Sequence, residues 1–156
     1  ASYESKKLSL EQIINVCNTS LKKIVLIGGK NEYQMGQEIV AQTTNPNVFS
    51  FCGTISLDQS SLFIKKSSLV LTNDTGMMHI AAALKKRIIS FWGCTKPDLG
   101  FWPYLQEPKP VHLIYMKENR PCSKHGKYCR ITKYGCVKKI KYQVIQQEVE
   151  RILRAT

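Results

Sequence analysis

"SSLVLTNDTGMMHIAAALKK", residues 67–86, decides how the rest of the chain is read. Leu69, Val70 and Leu71 form a short apolar run of the kind that makes a buried strand. Thr72, Asn73, Asp74, Thr75 and Gly76 break it with polar and small residues. From Met77 an apolar, alanine-rich run with one histidine, His79, reads as a helix closed by Lys85 and Lys86. Asp74 is expected to cap that helix, its carboxylate accepting from the amides of Gly76 or Met77. Gly76 lets a ligand come close to the backbone. The first helical amides lack internal partners and carry the positive end of the helix dipole, so the turn is a site suited to phosphate. His79 lies one turn further on, within reach of the same ligand. Ala81, Ala82 and Ala83 allow the helix to close on a sheet. The same residue types equally describe an ordinary capped helix with a satisfied half-buried histidine, and on their own they leave both readings open.

The alternation extends in both directions. Ser9 with Gln12 is a capping box opening the helix "SLEQIINVCNTSL". "KIVLIGG", residues 23–29, reads as a buried strand. "EYQMGQEIVAQTT" reads as a helix and "NVFSFCG", residues 47–53, as a second strand. Ser56 and Gln59 make another capping box before "SSLFIKK". "RIISFWG" is a fourth strand and "VHLIYM" a fifth. "YQVIQQEVERILRAT" closes the chain as a helix. Strands alternating with helices predict an α/β fold, a Rossmann-like parallel sheet with helices on both faces. Ligands of such sheets sit beyond the carboxyl ends of the strands, where residues 72–76 fall.

The chain has 156 residues, 43% hydrophobic and 22% charged, which suits one globular domain, 1–156. No apolar run approaches the roughly 20 residues of a membrane span. The first residues contain no secretory apolar region, so a cytoplasmic protein is expected. They also lack an initiator methionine, which suggests a piece of a longer protein. The net charge is +12, which favours anionic partners. The basic excess peaks in a loop at residues 117–141, with nine Lys/Arg against one acid, Glu118. Cys17, Cys52 and Cys94 read as small buried thiols. Cys122, His125, Cys129 and Cys136 form C-x2-H-x3-C-x6-C. That set offers zinc-type donors at non-standard spacing, and thiol packing or a disulfide remain the other readings.

"TNDTGMMHIAAAL" resembles the D-[ST]-G-x-x-H-x-A-A-A motif of the heptosyltransferases, glycosyltransferase family nine. "FWGCTKPDLGFWPY" is similar to that family's F-G-x-T-x-P segment, with Trp92 intervening before Gly93. "SYESKKLS" resembles its T-K-x-[WL]-P segment, with Ser9 in place of Pro. "KIVLIGGKNE" and "CGTISLDQSSLFIKKSSLVLTNDTG" match the intervening elements in type and order. "RPCSKHGKYC" resembles a cysteine-bearing loop of many members, although Asn119 stands where a further Cys is common and His125 is the available substitute. The resemblance implies one half of a GT-B glycosyltransferase, the donor-binding domain, with the N-terminal acceptor domain absent from this chain. It implies an inverting, metal-independent transfer from a nucleotide sugar, commonly ADP-heptose, to a lipopolysaccharide core acceptor. No cofactor is called for.

By the same resemblance, Lys6 contacts donor phosphate, with Lys7 as the fallback if the alignment slips by one. Thr75 and Gly76 stabilise the leaving diphosphate through their amides and the Thr75 hydroxyl. Asp74 bonds sugar hydroxyls or fixes the loop, and His79 bonds phosphate or holds the loop in place. Gly93 and Thr95 complete the pocket, although Gly93 is equally a plain turn glycine. The catalytic base belongs to the absent domain, so no catalytic residue is expected here. The basic loop suits the inner face of the inner membrane, where clustered Lys/Arg meet anionic lipid and a glycolipid acceptor. Two other classes compete: a nucleic-acid-binding module, from the charge and from Tyr128, Tyr134 and Tyr142 among Lys/Arg, and a zinc-stapled interaction domain. No nucleic-acid motif supports the former.

Overall fold

The computed structural model describes residues 4–115, 118, 121–122 and 128–154. A 3-10 turn at Glu4–Lys6 is followed by α1 (Leu10–Thr19), β1 (Ile24–Leu26), α2 (Tyr33–Gln42), β2 (Val48–Ser50), α3 (Leu57–Lys66), β3 (Val70–Asn73), α4 (Gly76–Ala83), β4 (Ile88–Trp92), β5 (Val111–Ile114) and α5 (Tyr142–Arg154). Every pairing is parallel. Ile24 lies opposite Val48, Val70 opposite Ile88, and Ile89 opposite Val111. Among the described residues the strands form two ladders, β1–β2 and β3–β4–β5. The first two strands are shorter than their apolar runs. β1 stops at Leu26 because the chain turns at Gly28 and Gly29 into a 3-10 turn, where Glu32 accepts from the Gly29 amide at 2.9 Å. Pairing survives past the ladder as single bonds, from the Phe51 amide to Leu26 and from the Gly53 amide to Gly28.

Both capping boxes form. Ser9 Oγ accepts from the Gln12 amide at 3.2 Å, and the Ser9 amide donates to Gln12 Oε1 at 2.7 Å. Ser56 and Gln59 repeat the exchange at the head of α3. Gln12 does more than cap. Its Nε2 donates to the carbonyls of Val137 and Ile140 at 3.2 and 2.6 Å, which ties α1 to the segment leading into α5.

All five residues of β4 are buried, the mark of a strand covered on both faces. Ile88 and Trp92 pack with Ile64 of α3 and with Met78, Ala81 and Ala82 of α4. Ile89 and Phe91 pack on the opposite face with Val137, Ile140 and Ile145. The alanines of α4 let its backbone close on the sheet, as the sequence suggests. The Trp92 indole is buried without penalty because Nε1 donates to Ser90 Oγ at 2.7 Å.

α4 ends in a Schellman motif. The Lys85 amide donates to Ala82 and the Lys86 amide to Ala81, both at 2.9 Å. This geometry places Lys85 at φ +53, a left-handed conformation costly to a side chain bearing Cβ. Lys85→Gly is therefore expected to stabilise the protein by about 1 kcal/mol. Urea denaturation checks this through a raised midpoint at unchanged slope.

Candidate functional site

β3 ends at Asn73 and α4 begins at Gly76, so Asp74 and Thr75 make the whole turn. Asp74 does not cap the helix. The N-cap is Thr75, whose side chain makes no cap bond and lies instead 3.3 Å from the Thr72 hydroxyl. The Asp74 carboxylate turns to Lys6, with Nζ and Oδ2 2.7 Å apart and both side chains 13% exposed. A carboxylate removed this far from water gains more from a full opposite charge than from neutral amides. The consequence matters for binding. No side-chain cap occupies the head of α4, and a cation stands beside it.

Lys7 faces elsewhere, 2.7 Å from Glu4 and 3.9 Å from Glu32. Lys6 is thus the lysine that the structure brings to the junction. Gly76 is exposed, and a Cβ placed on it would meet nothing within 4 Å. His79 is exposed one turn along α4.

The two residues beyond β4 behave differently from each other. Gly93 is buried and faces the chain itself. A Cβ there would lie 2.6 Å from the Ser5 carbonyl oxygen, so Gly93 seats the segment that carries Lys6. Gly135 does the same from the other end of the chain. Its Cβ would lie 2.5 Å from Ser5 Cα, and its φ is +90. Thr95 is 1% exposed, and its Oγ1 finds no hydrogen-bond partner among the described residues. Asn73 Oδ1 is in the same condition at the end of the neighbouring strand. Buried polar atoms are seldom left unpaired. Both lie near the carboxyl edge of β3 and β4. Asn73 was not among the residues singled out from sequence; its place just before Asp74, at the end of a strand, was the available signal.

Cys94 is a buried free thiol, as the sequence reading has it, and it has cysteine neighbours. It clusters with Cys122 and Cys136, and Tyr115 and Cys129 pack against them. Burial opposes ionisation of Cys129. The Thr132 and Ile131 amides and the Cys94 and Cys136 thiols outweigh it, bringing Cys129 down to about 6. Cys17, buried among aliphatic side chains, is pushed up to about 11 by burial alone. His125 and Asn119 lie outside the described residues. No described helix is long and apolar enough to cross a membrane.

Residues 9–134 match the sequence profile of "Glycosyltransferase family 9 (heptosyltransferase)". The chain is 34% identical over 97 residues to lipopolysaccharide heptosyltransferase 2 of Escherichia coli K12, covering 59% of this chain and 27% of that protein. It is 28% identical over 134 residues to lipooligosaccharide heptosyltransferase 2 of Campylobacter jejuni serotype O:6, covering 83% and 41%. It therefore spans less than half the length of these relatives. Its fold matches a crystal structure of a family 9 glycosyl transferase from Veillonella parvula with a TM-score of 0.82. That match has 19% identity and covers all of this chain and 44% of the other. The E. coli ADP-heptose lps heptosyltransferase II structure matches with a TM-score of 0.69 at 20% identity, covering 98% and 44%.

Proposed function

The chain belongs to glycosyltransferase family 9, the heptosyltransferases, and we propose that it is the donor-binding half of such an enzyme. It binds a nucleotide sugar, ADP-heptose in the first instance, at the carboxyl edge of β3 and β4. One observation carries this reading: Lys6 is held 2.7 Å from Asp74 beside a helix start without a side-chain cap. A diphosphate bound there meets the Lys6 ammonium, the first amides of α4 and the Thr75 hydroxyl. Asn73 and Thr95 lie near the same edge. Asp74 anchors Lys6, and its second oxygen is a candidate acceptor for a sugar hydroxyl.

The chemistry follows from where charge builds. An acceptor hydroxyl attacks the anomeric carbon, the bond from that carbon to the phosphate oxygen breaks, and the nucleoside diphosphate leaves with inversion. Helix amides and an ammonium aimed at the leaving oxygens lower that barrier without a catalytic metal. The base that takes the hydroxyl proton is assigned to an acidic residue of the acceptor-binding half, and the acceptor to the lipopolysaccharide core. This chain alone binds donor and does not turn it over. The expected setting is the cytoplasm, with the basic loop against anionic lipid.

Calorimetric titration with ADP, CDP and UDP tests the reading. Saturable ADP binding is expected. Lys6→Ala should weaken it by about 10- to 100-fold, the loss of one charged hydrogen bond of roughly 1.5–3 kcal/mol. Lys7→Ala should leave it within about twofold, because Lys7 points to Glu4. Wild-type affinity in Lys6→Ala, or no saturable binding of any nucleotide, would sink the proposal. Tyr128 and Tyr134 are exposed within the basic loop, so single-stranded DNA is the control ligand. Tight binding of it that falls steeply with salt would favour the nucleic-acid reading instead.

A further inference from the structure

Four cysteines from separate parts of the chain meet at one place. Cys94 follows β4, Cys122 follows β5, and Cys129 and Cys136 lie on the stretch before α5. The sulfurs of Cys94, Cys129 and Cys136 all lie within 4.8 Å of one another. Cys122, 1% exposed, packs in the same cluster, and its amide donates to the Cys94 carbonyl at 2.8 Å. Buried cysteines that act as small apolar groups have aliphatic neighbours, as Cys17 does with Ile39 and Val48. Here the cluster is made of cysteines, with Tyr115 packed against it. The Ile131 and Thr132 amides both point at Cys129 Sγ from 3.4 Å. Backbone donors aimed at a sulfur are the outer support that metal-bound thiolates use.

We propose that Cys94, Cys122, Cys129 and Cys136 hold one tetrahedral zinc ion. Zinc–sulfur bonds of about 2.3 Å put the sulfurs of a tetrahedron about 3.8 Å apart. Three sulfurs already lie inside a 4.8 Å set, and Cys122, packed in the same cluster, supplies the fourth. Four protein ligands leave no open position, so the ion is structural and takes no part in transfer. The set differs from the one the local spacing suggested, with Cys94 taking the place of His125. Its effect on the site is direct. Gly93 precedes Cys94 and Gly135 precedes Cys136, and these two glycines are the walls against which Ser5 rests beside Lys6. The ion locks both walls to each other. This inference does not depend on which ligand the site takes.

The test uses the whole chain, purified under reducing conditions. Elemental analysis should find one zinc per chain. After chelation, cobalt(II) should give the intense visible bands of a tetrahedral site and a near-ultraviolet thiolate-to-cobalt charge-transfer band, and zinc should remove both. Cys94→Ser should lose stoichiometric zinc and the charge-transfer intensity of one sulfur, whereas Cys17→Ser should keep them. A wild-type chain that retains no zinc and shows no tetrahedral cobalt spectrum overturns the proposal without recourse to any variant. So does a Cys94→Ser chain that behaves as wild type, or a His125→Ala chain that loses the bands.

Discussion

Gly76→Val should abolish ADP binding and leave the fold intact. The two halves of that statement come from one geometric fact. A Cβ at residue 76 meets nothing within 4 Å, so the valine side chain has room and displaces no neighbour. Valine is a better helix former than the glycine it replaces, so helix propensity adds no cost to stability. The space it fills is the approach to the first amides of α4, where a phosphate must come within hydrogen-bond distance. Isopropyl bulk there keeps the anion beyond that distance, and the amide, dipole and Lys6 contributions fail together. Affinity should fall by at least about 100-fold, roughly 3 kcal/mol, the worth of two charge-assisted hydrogen bonds. Calorimetry against ADP, paired with a thermal melt, checks both halves. Unchanged affinity would place the nucleotide elsewhere. A collapsed melt would mean that residue 76 is not open as the structure has it.

Gly135→Ala has the opposite character, with a large effect on stability and a secondary one on binding. Residue 135 sits at φ +90, where a side chain bearing Cβ costs about 1–2 kcal/mol. The added methyl would lie 2.5 Å from Ser5 Cα and 2.6 Å from its carbonyl oxygen. Both are backbone atoms, so relief requires the segment to move, at a cost of about 1–3 kcal/mol. A total loss of roughly 2–5 kcal/mol is expected in urea denaturation. ADP affinity measured on the folded variant should fall as well, because Lys6 is the next residue after the displaced Ser5. A loss under about 0.5 kcal/mol would show that the N-terminal segment does not rest there in solution.

What could be read from the sequence divides by the range of the interaction. The Ser9–Gln12 and Ser56–Gln59 boxes lie three residues apart, and the strand–turn–helix at Val70–Ala83 is one contiguous run; local physics specifies all three. The parallel fold followed from the alternation of these units. The helix cap expected of Asp74 fails for the converse reason. A capping partner is found two or three residues away, but Lys6 is 68 residues distant, and no pattern of residue types announces that pairing. Cys94 looked like an ordinary buried thiol because the other three cysteines lie beyond β5. Gly93 reads as a pocket residue or a turn glycine, and its packing role stays hidden because the atom that forbids a side chain, the Ser5 carbonyl, comes from the start of the chain. Lys6 itself was reached through family resemblance, and the physics of the sequence alone did not single it out.

The seating of Ser5 between Gly93 and Gly135 has a consequence for the order of assembly. Its three parties come from the beginning, the middle and the end of the chain, so loop closure makes this contact among the last to form and the first to open. The lysine assigned to phosphate is therefore placed only after β4 and the segment before α5 have docked. A chain stalled with its helices made and its ends undocked has a hydrophobic core but no seated Lys6. Competence to bind the donor then reports completed folding, and amide exchange around residues 5–7 should slow on adding nucleotide before the exchange of β4 changes at all.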